Sequence, residues 1–163
     1  MENAYHVGMA DLVVVSAPAK LITLGLGSCI GLVIYDSSAK IAGMAHIMLP
    51  SSQGSKGTEK VGKFADIAVP TVVDEMVKKG AIKSRMKAKI AGGAQMFALP
   101  GTPTDFLAVG SRNIKETTAM LAKLGIPLVA SDTGGNKGRT VEFSTTTWKL
   151  SIKTLGKKET SEI

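Results

Sequence analysis

The chain has 163 residues, 44% of them hydrophobic, 20% charged and 4% aromatic, with a formal net charge of +7. That length suits one compact domain over residues 1–163, and the balance of apolar and charged residues excludes a disordered or fibrous chain. A lone cysteine, Cys29, beside two histidines excludes an internal disulfide and a thiolate zinc site, so no metal or other cofactor is expected. The longest apolar runs, Leu12–Val15 and Ile41–Leu49, are too short to cross a bilayer, and no secretory leader is recognisable. The cytoplasm is the expected compartment, without direct membrane insertion.

The first third of the chain reads as β. Leu12–Ala17, Leu21–Gly25, Gly31–Tyr35 and Ile41–Met48 are short runs rich in Val, Ile and Leu, and Asp36-Ser37-Ser38 supplies a turn between the last two. Ser51–Lys60 is a polar loop. A helix is expected over Val61–Lys79, with Val61, Phe64, Ala65, Ala68, Val72, Met76 and Val77 near one face and Gly80 as its C-cap. Pro70 either kinks that helix or marks a start just before it. Ala88–Ala91 reads as a buried strand leading into Gly92-Gly93, and the proline-containing Leu99–Asp105 as a loop.

Asn113 and Glu116 have capping-box spacing ahead of a second helix that carries Ile114, Met120, Leu121 and Leu124 and ends at Gly125, so Arg112 and Asn113 either shape a site or, as the capping box favours, simply start that helix. Ile126–Ser131 is a further strand, Thr140–Ser144 and Trp148–Lys153 form a hairpin, and the polar tail from about Gly156 is expected to fray. Strands, two interspersed helices and strands again make this an α+β chain.

Lys78, Lys79, Lys83, Arg85, Lys87 and Lys89 concentrate the positive charge. Such a run serves either as a landing strip for an acidic partner or as a solvated helix end and edge strand. Without interleaved aromatic residues for base stacking, nucleic acid is not an expected ligand.

The segment Gly25-Leu26-Gly27-Ser28-Cys29-Ile30-Gly31 puts the thiol in a glycine-rich turn between two strands. Successive N–H groups in such a turn converge readily on one oxyanion. An ordinary thiol is only a few per cent thiolate at neutral pH, and a nearby imidazole can draw off its proton. His46, on the next apolar run, is the candidate base, whereas His6 near the N-terminus is incidental. Set against this, a lone cysteine is usually a small buried hydrophobe and a lone histidine a satisfied core residue, so spacing alone leaves the chemistry open.

Thr23-Leu24-Gly25-Leu26-Gly27-Ser28-Cys29 followed by Ala45-His46-Ile47-Met48-Leu49-Pro50 resembles the CheD family of chemoreceptor glutamine deamidases. The likeness continues through Lys89-Ile90-Ala91-Gly92-Gly93-Ala94-Gln95-Met96-Phe97, Gly110-Ser111-Arg112-Asn113 and Asp132-Thr133-Gly134-Gly135-Asn136, so it spans nearly the whole chain. It implies a cysteine-dependent protein-glutamine glutaminase in which Cys29 is the nucleophile, His46 the general base and Thr23 the third residue that holds the imidazole. It also implies a three-layer α/β/β fold with mixed sheets, similar to the cytotoxic necrotizing factor deamidases. Receptor methyl esters are further possible substrates.

The expected partners are chemoreceptor cytoplasmic domains and the CheC phosphatase. The alternative is a non-catalytic regulator that binds both. Gly27 and Ser28 are candidate oxyanion donors, Gly92 and Gly93 are candidates to line the glutamine cleft, and Gly134-Gly135-Asn136 either lines it too or is only a turn feeding Thr140–Ser144. The Ala98–Leu107 segment departs from the family pattern, so no contact is assigned to it.

Overall fold

The computed structural model describes residues 2–96 and 108–163. In chain order they form β1 (Asn3–His6), β2 (Leu12–Ser16), β3 (Ala19–Leu26), β4 (Ile30–Asp36), β5 (Ile41–Ile47), α1 (Ala65–Lys79), a 3₁₀ turn (Lys83–Arg85), β6 (Lys87–Gly92), α2 (Val109–Lys123), β7 (Leu128–Thr133), β8 (Arg139–Ser144), β9 (Lys149–Thr154) and β10 (Thr160–Glu162). Phe97 and the expected loop over Leu99–Asp105 lie outside the described residues.

The strands make two five-stranded sheets, an inner one ordered β2-β5-β4-β6-β7 and an outer one ordered β1-β3-β8-β9-β10. Both are mixed, because β6 runs parallel to β7 and β1 parallel to β3 while the other pairings are antiparallel. Every residue of β4 and β5 is buried, which explains why both read as near-continuous apolar runs rather than alternating ones. Ile30, Leu32, Ile34 and Ile47 pack against Val69, Val72 and Met76 of α1 and Leu121 of α2. The opposite face, with Val33, Tyr35 and Met44, packs against Leu21, Leu26, Phe143 and Ile152 of the outer sheet. Each such fully buried side chain stabilises the fold by roughly 1.5–3 kcal/mol. Helices, inner sheet and outer sheet therefore stack in that order.

Several local expectations shift. The first helix begins at Ala65 rather than Val61, and Val61 and Val77 are exposed instead of joining the apolar face. Pro70 lies inside α1, where its missing N–H leaves the Asp66 carbonyl without an intrahelical donor, while Gly80 caps the helix as expected. The strand expected from Ile126 starts at Leu128. The second helix begins at Val109 with Ala108 as its N-cap, so Asn113 is an interior, fully buried residue and not a cap.

The basic stretch is also divided by the fold. Lys89 turns inward, donating to the carbonyls of Trp148 at 2.8 Å and Ile163 at 2.9 Å, with its Nζ 5.4 Å from the Tyr35 ring centroid. Arg85 pairs with the buried Asp36 carboxylate at 3.2 Å, leaving the lysines of the helix end and edge facing water. Nor does the tail fray. Thr160–Glu162 is an edge strand on β9, and the Ile163 and Leu150 amides each donate to the other's carbonyl at 2.9 Å. Backbone pairing, the Lys89 ammonium on the Ile163 carbonyl and the Ile163 side chain on the inter-sheet core hold this short polar strand, whose own three side chains are exposed and carry no pattern.

Candidate active site

Two antiparallel strands and the turn before one of them assemble the site. In the β4–β5 ladder Gly31 faces His46, so Cys29, two residues earlier, occupies the diagonal position toward the strand end. Cys29 is half-buried and packs on the inter-sheet core, and the alternation of β5 turns His46 toward the same layer. Thr23 reaches that seam from β3 of the outer sheet. Both His46 and Thr23 are 1% exposed.

Thr23 Oγ1 lies 2.6 Å from the Val7 carbonyl and 2.7 Å from His46 Nδ1. A hydroxyl has one proton, and a carbonyl can only accept, so Thr23 donates to Val7 and accepts from Nδ1–H. In the neutral imidazole the lone pair is then on Nε2, which is buried and has no hydrogen-bond partner among the described residues. The segment after β1 grips His46 directly as well: the Ala10 amide donates to the His46 carbonyl at 3.0 Å and the His46 amide to the Asp11 carbonyl at 3.1 Å. Val7 and Asp11 carry no signal in the sequence, because only their backbone carbonyls make these two bonds.

The turn that carries Cys29 is held by its carbonyls. Ala94 N–H donates to the Gly27 carbonyl at 2.9 Å, Asn113 Nδ2 to that of Ser28 at 2.9 Å, and Gly93 N–H to that of Cys29 at 2.9 Å. The N–H and C=O of a trans peptide point in opposite directions. The Ser28 and Cys29 N–H groups therefore point away from these anchors, and neither has an acceptor among the described residues. Gly92 and Gly93 are buried between the Cys29 backbone and α2, where they support the turn instead of lining an open cleft. Gly134 likewise donates its N–H to the Gly92 carbonyl at 3.0 Å, and Arg139 reaches the same carbonyl at 3.3 Å.

Burial raises the Cys29 thiol pKa above its ordinary value. Burial also lowers the His46 pKa, opposed in part by the nearby Asp11 carboxylate, which itself pairs with Lys60 at 2.7 Å. Both shifts favour the neutral thiol beside the neutral imidazole over the ion pair. No group of three or more potential metal ligands occurs among the described residues.

A family model described as CheD chemotactic sensory transduction matches residues 48–154. A Clostridium novyi protein named as a probable chemoreceptor glutamine deamidase CheD is 49% identical over 155 residues, covering 95% of each chain.

The chain belongs to the CheD family.

A Clostridium botulinum relative of the same printed name is 52% identical to this CheD chain over 151 residues, covering 92% of each. Among solved structures, a Neisseria meningitidis protein of the DUF152 family superposes with a TM-score of 0.53 at 8% identity, covering 88% of this chain and 75% of its own, which is a likeness of fold alone. No helix among the described residues is long and apolar enough to cross a membrane.

Within this CheD chain, Thr23→Val is expected to separate orientation from bulk. Valine keeps the volume but leaves Nδ1–H and the Val7 carbonyl unpaired, at a cost of about 1–3 kcal/mol for each buried group. Thermal unfolding should register that loss, and glutamine deamidation should slow by about 10- to 100-fold as the imidazole loses its tautomer and orientation. The pH dependence of stability has a fixed sign. His46 resists protonation in the folded state, so the unfolded chain binds its proton first as pH falls through about 6.5, and stability drops there.

Proposed function

We propose that this protein deamidates specific glutamines of chemoreceptor cytoplasmic domains, with Cys29 as nucleophile, His46 as general base and Thr23 as the residue orienting it. The observation that carries this reading is the Thr23–His46 hydrogen bond. It leaves the Nε2 lone pair free in the seam that Cys29 also faces. The printed names of relatives matched over more than nine-tenths of their length supply the substrate class.

The chemistry runs as general-base catalysis, because the resting pair is neutral. His46 Nε2 takes the thiol proton as Sγ attacks the side-chain amide carbon, and the oxyanion forms opposite the Ser28 and Cys29 N–H groups. The imidazolium then returns its proton to nitrogen, the C–N bond breaks, and ammonia leaves a γ-glutamyl thioester on Cys29. Water, deprotonated by His46, attacks the thioester carbon. The C–S bond breaks, the thiol regains its proton and glutamate remains.

The same reading takes the layering as that of the cytotoxic necrotizing factor deamidases, with residues 1–163 as one domain. The helix–sheet–sheet order and the two cores sharing the inner sheet support it. It also includes the CheC phosphatase as a partner and the cytoplasm as compartment, both on family resemblance. Nucleic acid is left out because Lys89 and Arg85 are engaged within the fold. The decisive experiment is site-resolved mass spectrometry of a purified receptor cytoplasmic fragment after incubation with the protein. Conversion of particular glutamines to glutamate is the expected result. A fragment that binds yet stays unconverted would establish the non-catalytic regulator instead.

A further inference from the structure

Of the three donors that pin the Cys29 turn, two are backbone amides and one is a side chain. Asn113 is fully buried in α2, and its amide nitrogen donates to the Ser28 carbonyl at 2.9 Å and to the Met48 carbonyl at 3.0 Å. Two carbonyls facing one planar group require an NH₂, so both amide protons are used and the assignment of Nδ2 is unambiguous. One acceptor is in the peptide that contains the Cys29 N–H. The other follows directly after β5, two residues beyond His46. Asn113 thus ties the nucleophile's turn to the end of the strand that carries the base, across 85 and 65 residues of sequence respectively.

The consequence follows from peptide geometry. With the Ser28 carbonyl drawn toward α2, the N–H of Cys29 in the same planar unit must face away from that helix. Its aim depends on the helix side chain. We infer that Asn113 is a positioning residue that orients the Cys29 N–H as an oxyanion donor. This inference rests on the deamidase reading, in which an oxyanion forms at that place.

The test uses two reagents for the single thiol. Acylation by p-nitrophenyl acetate forms a C–S bond at a carbonyl carbon, passes through an oxyanion and expels p-nitrophenolate, with the thiol proton going to His46. Alkylation by iodoacetamide displaces iodide at a saturated carbon and forms no oxyanion. Asn113→Ala is expected to slow acylation by about 10- to 100-fold while alkylation stays within about threefold of the parent protein. Leu121→Ala, at another buried position of the same helix, should leave the ratio of the two rates unchanged. If Asn113→Ala does not fold, Asn113→Ser, whose shorter hydroxyl cannot reach both carbonyls, is measured in its place.

Acylation at the parent rate, or acylation and alkylation falling together, overturns the inference. Neither assay involves a receptor. A parent protein that fails to convert receptor glutamines would sink the deamidase reading while leaving this measurement intact.

Discussion

Cys29→Ala is expected to abolish receptor deamidation, by roughly 10⁴-fold or more, while leaving the protein folded. The substitution removes the only thiol of the chain, which lies diagonally across the β4–β5 ladder from His46. Because Cys29 is only half-buried at the edge of the inter-sheet core, the loss of its sulfur costs little packing. The melting temperature should move by no more than a few degrees, and mass spectrometry of the receptor fragment should detect no glutamate above the uncatalysed background. Conversion surviving in the alanine variant would remove Cys29 from the mechanism. The parent protein offers a companion readout. Its iodoacetamide labelling, which reports on this one thiol, should rise with pH to a midpoint above the ordinary thiol value of about 8.5, since burial opposes the thiolate.

Gly92→Ala should produce the largest structural effect. Gly92 has φ 107°, a conformation that side chains resist, and a Cβ there would lie 2.2 Å from the Cys29 carbonyl oxygen. That oxygen cannot retreat freely, because it accepts the Gly93 N–H at 2.9 Å. Backbone strain and overlap together are expected to cost about 3–5 kcal/mol, readable as a lower urea midpoint. The overlap bears directly on the Cys29 backbone, so under the proposed mechanism deamidation should also fall under conditions where the variant is still folded. Gly156→Ala is the matched control. Its φ of 86° carries similar strain, but nothing lies within 4 Å of its Cβ position, so it should lose only the strain and no activity. Equal losses at the two positions would mean that the contact with Cys29 is unimportant.

The two variants address different layers of the same site. The first removes an atom that the local sequence already singles out. The second disturbs a contact between residues 29 and 92, which no inspection of either segment reveals. Asn113 makes the same point from the other side. Its spacing to Glu116 fits a capping box, and that local signal loses because the helix already starts at Val109 and the side chain is needed at Ser28 and Met48.

By itself, the sequence determined the elements whose signals are local. The apolar runs became β2 to β6, Gly80 ended α1, and the glycine-rich turn with Cys29 and the histidine on the following run were marked before any fold was known. Side-chain periodicity and turn chemistry act over a few residues, so they survive in the linear order. Only the tertiary structure decided the rest. Strand neighbours placed β4 between β5 and β6, the Val7 carbonyl set the tautomer of His46, Lys89 turned inward, and pairing with β9 ordered the tail. Apart from the β4–β5 and β9–β10 pairings of chain neighbours, these depend on hydrogen bonds between segments well separated in the chain. Such partners compete only once the layers have packed, and by then burial makes an unpaired donor or acceptor too costly to leave.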